Sequence, residues 1–106
     1  MNDRFYATLS LSMRAKKLFY GFDTVKEGVQ NGSVRLLLTA SDLSAKTVKE
    51  VVFLAGKYNL PHLPLPKTME EIAGVIGKKT GVIGIADQGF ADKLTLIHNE
   101  TEEPNI

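Results

Sequence analysis

The chain has no cysteine, only two histidines and no long apolar run. Without cysteine there is no disulfide framework, no thiolate metal site and no thiol catalysis, and the composition fits a reducing cytosol. The longest unbroken leucine run, Leu36-Leu37-Leu38, is far too short to span a bilayer. Met1-Asn2-Asp3-Arg4 lacks the basic-then-apolar order of a signal peptide. A cytoplasmic protein with no membrane partner is expected. Charge of one sign is also scarce, with a formal net charge of +1. Three of the 12 acids, Glu100, Glu102 and Glu103, fall at the end, so residues 1–99 hold 13 bases against nine acids. A surplus of that size is compatible with nucleic acid but does not require it.

What is present is enough for one domain. A chain of 106 residues, 43% of them hydrophobic, can bury about 60 to 70% of its unfolded surface without a metal or a crosslink. Asp3 opens a helix to about Ala15 with Phe5, Leu9 and Met13 at i, i+4 and i+8. The basic run Arg14-Ala15-Lys16-Lys17 at its end is favoured by the helix dipole. Leu18-Phe19-Tyr20 reads as a short strand, and Gly21 turns the chain into a second helix with Phe22, Val25 and Val29 on one face. Asp23, Lys26, Glu27 and Gln30 share the other face, and Gly32 ends the helix as a left-handed cap. Gly28 inside this helix implies close approach of another element.

Val34 to Thr39 reads as a central strand covered on both faces. After the loop Ala40-Ser41-Asp42-Leu43, Ser44 caps a third helix whose expected inner stripe is Val48, Val51, Val52 and Ala55. Three prolines between Leu60 and Pro66 limit that stretch to a short or edge strand. Thr68 caps a short fourth helix from Met69 to about Val75. Val82 to Ala86 is a buried strand in which Gly84 marks close packing or a bulge, and Asp87-Gln88-Gly89 starts a last helix with Phe90, Ala91, Leu94, Ile97 and His98 inward. Strands alternating with helices predict an α/β fold, a three-layer α/β/α sandwich on a small, mostly parallel four-stranded sheet. One domain over residues 1–99 and an acidic, disordered tail over 100–106 complete the expectation.

The chemistry of catalysis is thin. Neither His62 nor His98 has a Ser or Asp at a spacing suited to a triad or a metal pair. Glu70 and Glu71 are adjacent and so point to different sides of a helix. Gly77-Lys78-Lys79-Thr80 follows a helix and lacks the first glycine of a phosphate loop. No enzyme, cofactor, metal or small-molecule substrate is expected. The second helix is more informative, because the first-turn amides around Asp23 have no partners inside the helix and can meet a phosphate or a base edge.

Arg14-Ala15-Lys16-Lys17, the Gly21 helix, Leu36-Leu37-Leu38-Thr39-Ala40-Ser41-Asp42, Ser44-x-x-Thr47, Asn59-Leu60-Pro61, Ile76-Gly77-Lys78 and Asp87-Gln88-Gly89-Phe90-Ala91 occur in an order that resembles the kink-turn RNA-binding ribosomal protein family. This is the family named after the large-subunit protein L-seven-Ae, and the likeness is to its small bacterial members associated with translation. It extends to about Ile97. It implies an α/β/α sandwich that binds sharply bent RNA with the start of the second helix and nearby loops. Binding members carry Gly-x-Asn-Glu-x-x-Lys there, with Asn and Glu reading sheared guanine–adenine pairs and Lys meeting phosphate. Here the matching positions are Gly21-x-Asp23-Thr24-x-x-Glu27, so only the glycine is retained. Asp23 accepts hydrogen bonds but donates none, Thr24 has a shorter reach, and Glu27 carries the wrong sign for a phosphate. Lys26, about 100° round the helix, is the nearest substitute cation.

The site implied is Lys17, Gly21, Asp23, Thr24, Lys26 and Glu27 with Leu43 of the loop after the central strand and Lys67 flanking it. Two functions follow. One is an RNA-binding accessory protein of translation whose partners are structured ribosomal or messenger RNA and the ribosome. The other is a protein-interaction or regulatory module on the same scaffold, its RNA surface eroded.

Overall fold

The computed structural model describes residues 3–102. Five helices and four strands alternate: α1 (Asp3–Arg14), β1 (Leu18–Tyr20), α2 (Phe22–Gln30), β2 (Leu36–Thr39), α3 (Ala45–Lys57), β3 (His62–Pro64), α4 (Met69–Ile76), β4 (Val82–Ile85) and α5 (Gln88–Glu102). The expected three-layer α/β/α sandwich is present, with the sheet in the order β1-β4-β2-β3. The pleat sorts the core. Leu36, Leu38, Ile83 and Ile85 pack with Phe5, Leu9, Ile72 and Leu94 of α1, α4 and α5. Leu37 and Val82 turn to the opposite face and pack with Val25, Val29, Val51 and Leu54 of α2 and α3. Leu36, Leu37 and Leu38 are all fully buried, as a strand with helices on both faces requires.

The sheet is mixed rather than mostly parallel. β2 pairs with β3 in parallel, but β4 lies antiparallel to both β1 and β2. The register explains this: Thr39 is opposite Pro64 on one side and Val82 on the other, so β3 ends and β4 begins at the same end of the sheet. The α4 connection therefore makes no net crossing, and β4 has to run back. A capping box between Thr68 and Glu71 starts α4, and Gly77 closes it in the left-handed region.

Gly28 and Gly84 mark where α2 lies against the sheet. A Cβ at Gly28 would sit 2.7 Å from Val34 Cγ2 and 2.8 Å from Phe19 Cδ2, and one at Gly84 would sit 3.0 Å from Val34 Cγ2 and 3.1 Å from Val25 Cγ1. Gly28→Ala gains up to about 1 kcal/mol of helix propensity but overpacks this contact at a cost of about 1 to 3 kcal/mol. A net loss of about 1 kcal/mol in urea unfolding is expected. A gain would place α2 further from the sheet.

Two local expectations change. The inner stripe of α3 is Val51, Leu54 and Ala55, while Val52 is 51% exposed. Val51 to Ala55 are all apolar, so the pattern allows two neighbouring stripes, and the helix takes the one that buries the larger Leu54. The last helix continues past Asn99 to Glu102, with Arg4 Nη1 3.3 Å from Glu100 Oε1 on the surface. The acidic stretch therefore begins inside α5, and residues 103–106 of the expected tail lie outside the described residues. No helix among the described residues is long and apolar enough to cross a membrane.

Candidate nucleic-acid interface

The end of the sheet where β4 begins collects the start of α2, the loop after β2 and the link before α4. Gly21 N–H donates to Val82 O at 3.0 Å and to Thr80 Oγ1 at 3.2 Å, which ties the start of α2 to the first turn of β4. Ala40 N–H donates to Gly81 O, and Ser41 N–H to Lys67 O at 2.8 Å. Asp42 Oδ1 accepts from Met69 N–H at 2.9 Å. Leu43 packs over Gly81, whose added Cβ would lie 2.5 Å from Leu43 Cδ1. Three separate chain segments are thus held in one surface.

Gly21 has φ 90°, a backbone state that side chains of the L series rarely adopt, and no side chain caps the helix it opens. Its carbonyl accepts from Val25 N–H at 3.0 Å, so the helix starts cleanly while the earlier amides face outward. Asp23, Thr24, Lys26 and Glu27 are exposed around that start, and Leu43 is half-buried beside it. Lys67 belongs to the same end through its backbone, but its ammonium lies 4.6 Å over the Tyr6 ring of α1. The Tyr6 hydroxyl is pushed up to about 12 by burial and then by the negative charge of Glu71.

Lys17 is not part of this surface. It precedes β1 and its carbonyl accepts from Ala86 N–H at 2.8 Å, which places it at the other end of the sheet, about 13 Å of extended chain from Gly21. Lys26 leans the other way, into a groove of about 340 Å³ between α2 and α3 that it lines with Phe22, Lys49 and Phe53. Thr80 was not legible as a site residue. Its hydroxyl donates to Val82 O and accepts from Gly21 N–H, yet in sequence it is one more polar residue of a turn.

The groups considered for catalysis have structural partners. His62 Nε2 is 2.8 Å from Thr39 Oγ1, and the His98 ring is tilted against Phe5. Glu71 accepts from Thr68 N–H, and Glu70 pairs with Lys79 at 3.3 Å. Among the described residues no three His, Asp or Glu side chains are placed to hold a metal ion. Burial holds the His62 imidazole below its ordinary value. An imidazole depressed in the folded state binds fewer protons than when unfolded, so its contribution is complete above about pH 6.5 and is lost as pH falls below that. The urea midpoint should drop between about pH 7.5 and about pH 5.5, and drop less in His62→Gln. Equal drops would assign the dependence to other groups.

Known proteins share this arrangement. Residues 3–95 match the sequence profile of the ribosomal protein L7Ae/L30e/S12e/Gadd45 family. An RNA-binding protein YlxQ from Bacillus subtilis (strain 168) is 34% identical over 94 residues, covering 84% of this chain and 89% of that one. An RNA-binding protein YlxQ from Enterococcus faecium is 35% identical over 85 residues, covering 80% of this chain and 82% of that one. The solved structure of a protein of unknown function from Bacillus halodurans C superposes with a TM-score of 0.88 at 31% identity, over 92% of this chain and 99% of its own. A match across residues 3–95, with relatives 34% and 35% identical over most of the chain, leaves one assignment, and the chain belongs to the ribosomal protein L7Ae/L30e/S12e/Gadd45 family.

Proposed function

We propose that this chain is a non-enzymatic, cytoplasmic RNA-binding accessory protein of translation, which engages kinked RNA through the start of α2 and the loop between β2 and α3. The observation that carries the reading is the junction at one end of the sheet, where Gly21, Ala40, Ser41 and Asp42 are all hydrogen-bonded into the β4 and α4 starts. It supports the reading because unstacked bases with open edges need a rigid surface of several segments, whereas a regular A-form helix hides those edges. Relatives named as RNA-binding proteins align over four-fifths of the chain or more. Asp23 and Thr24 would meet base edges, Lys26 the phosphates, and Leu43 an unstacked base, with structured ribosomal or messenger RNA and the ribosome as partners.

One observation favours the second reading, a protein-interaction module. The exposed charges on the turns of α2 nearest Gly21 include two acids, Asp23 and Glu27, against one cation, Lys26. Binding of a labelled kink-turn RNA against a straight duplex of the same length separates the two. A clear preference for the kinked RNA is expected, and equal binding would transfer the site to a protein partner.

A further inference from the structure

The positive charge missing around Asp23 is found next door. The groove between α2 and α3 is lined by Lys26, Lys49 and Lys57 against one acid, Glu50. None of the three lysines forms an ion pair with a described residue, so their charge is available to a ligand. Between them stands Phe53, 66% exposed on a helix that has buried its other large apolar residue, Leu54. Lys49, Phe53 and Lys57 are four residues apart, so they form one line along α3 with about 6 Å between steps. Tyr58, half-buried, closes the floor, with Lys57 Nζ 5.6 Å from its ring centroid. An exposed aromatic face between two lysines without acidic partners among the described residues has no role in the core.

We infer that the α2/α3 groove binds a single-stranded RNA segment, with Phe53 as a stacking platform for a base and Lys26, Lys49 and Lys57 on its phosphates. Charge complementarity selects this occupant. A polyanion satisfies three cations that have no acidic partner among the described residues, and every unstacked base offers a π-face to an exposed ring without sequence preference. A second copy of the chain would bring the same cations against each other. The groove shares Lys26 and Phe22 with the start of α2, so a strand leaving a bound RNA at Gly21 passes directly into it. The inference goes beyond the function proposed above: it shares Lys26 with that reading but is carried by Phe53, Lys49 and Lys57 of α3, which that reading does not use.

The test uses the full chain and two labelled probes, an oligouridine of about 12 nucleotides and a kink-turn RNA with no single-stranded extension. Phe53→Ala removes an exposed side chain and is expected to weaken oligouridine binding about tenfold, while leaving the compact kink-turn RNA unaffected. Lys49→Gln with Lys57→Gln is expected to flatten the slope of log affinity against log salt by about 1.4 for the single strand. Unchanged oligouridine affinity in Phe53→Ala would overturn the inference. So would a Phe53→Ala variant whose only change is lost self-association or lost binding of a protein partner. If kink-turn RNA fails to bind the wild type while oligouridine binding still depends on Phe53, the groove stands and the reading of the α2 start falls.

Discussion

Replacing Leu37 by Ala is expected to lower the unfolding free energy by about 2 to 5 kcal/mol, a large share of the roughly 5 to 15 kcal/mol that a domain of this size has. Leu37 is fully buried and occupies the middle of β2, opposite Gly84 of β4 on one side and His62 of β3 on the other. Its side chain points to the α2/α3 face, where it packs with Val25, Val29, Val51 and Leu54. Truncation there opens a cavity that its neighbours are poorly placed to fill, because Gly84 has no side chain and Val25 and Val34 are already wedged over it. The upper half of the range is therefore expected. Chemical unfolding with an unchanged denaturant slope checks it, and a loss under about 1 kcal/mol would mean that Leu37 does not bridge β2 to the α2/α3 layer.

That layering was legible because each local pattern agreed with its neighbours. The apolar run at 36–38 demanded cover on both faces, prolines at 61, 64 and 66 kept β3 at the edge, and Gly28 signalled the close approach of another element to α2. Strand direction was not legible. It depends on the end of the sheet at which a connection finishes, and neither the eight residues of α4 nor their periodicity encode that. The stripe of α3 was ambiguous for a similar reason: five consecutive apolar residues leave the rotation of the helix to be settled by packing. Phe53 falls outside either stripe, but the groove it lines also needs the packing of α2 beside α3, which no single helix pattern encodes. Of the candidate site, Gly21, Asp23, Thr24, Glu27 and Leu43 share one end of the fold, with Lys67 joined through its backbone. Lys17 does not, because three strand residues carry it to the far end of β1.

Glu27 gives the second large effect. It is exposed on α2 four residues after Asp23, so two like charges share one face of a nine-residue helix, a pairing that costs a few tenths of a kcal/mol on its own. Neither acid forms an ion pair with a described residue. If kinked RNA docks at the start of α2, Glu27 lies towards the phosphate backbone and repels it, by an amount that shrinks as salt screens the interaction. Glu27→Lys should then tighten binding to a kink-turn RNA by about 1 to 2 kcal/mol at low salt and steepen the salt dependence by roughly one counterion. The helix itself should gain slightly, since an acid four residues before a base is the favoured order. Asp23→Ala should act differently. A base contact carries shape and sequence information that a phosphate contact lacks, so kink-turn binding should weaken while straight-duplex binding stays put. Titrations of both variants at two salt concentrations separate these effects, and if neither change moves the affinity, Asp23 and Glu27 belong to a surface that recognises protein, where an acidic pair beside Gly21 is an asset.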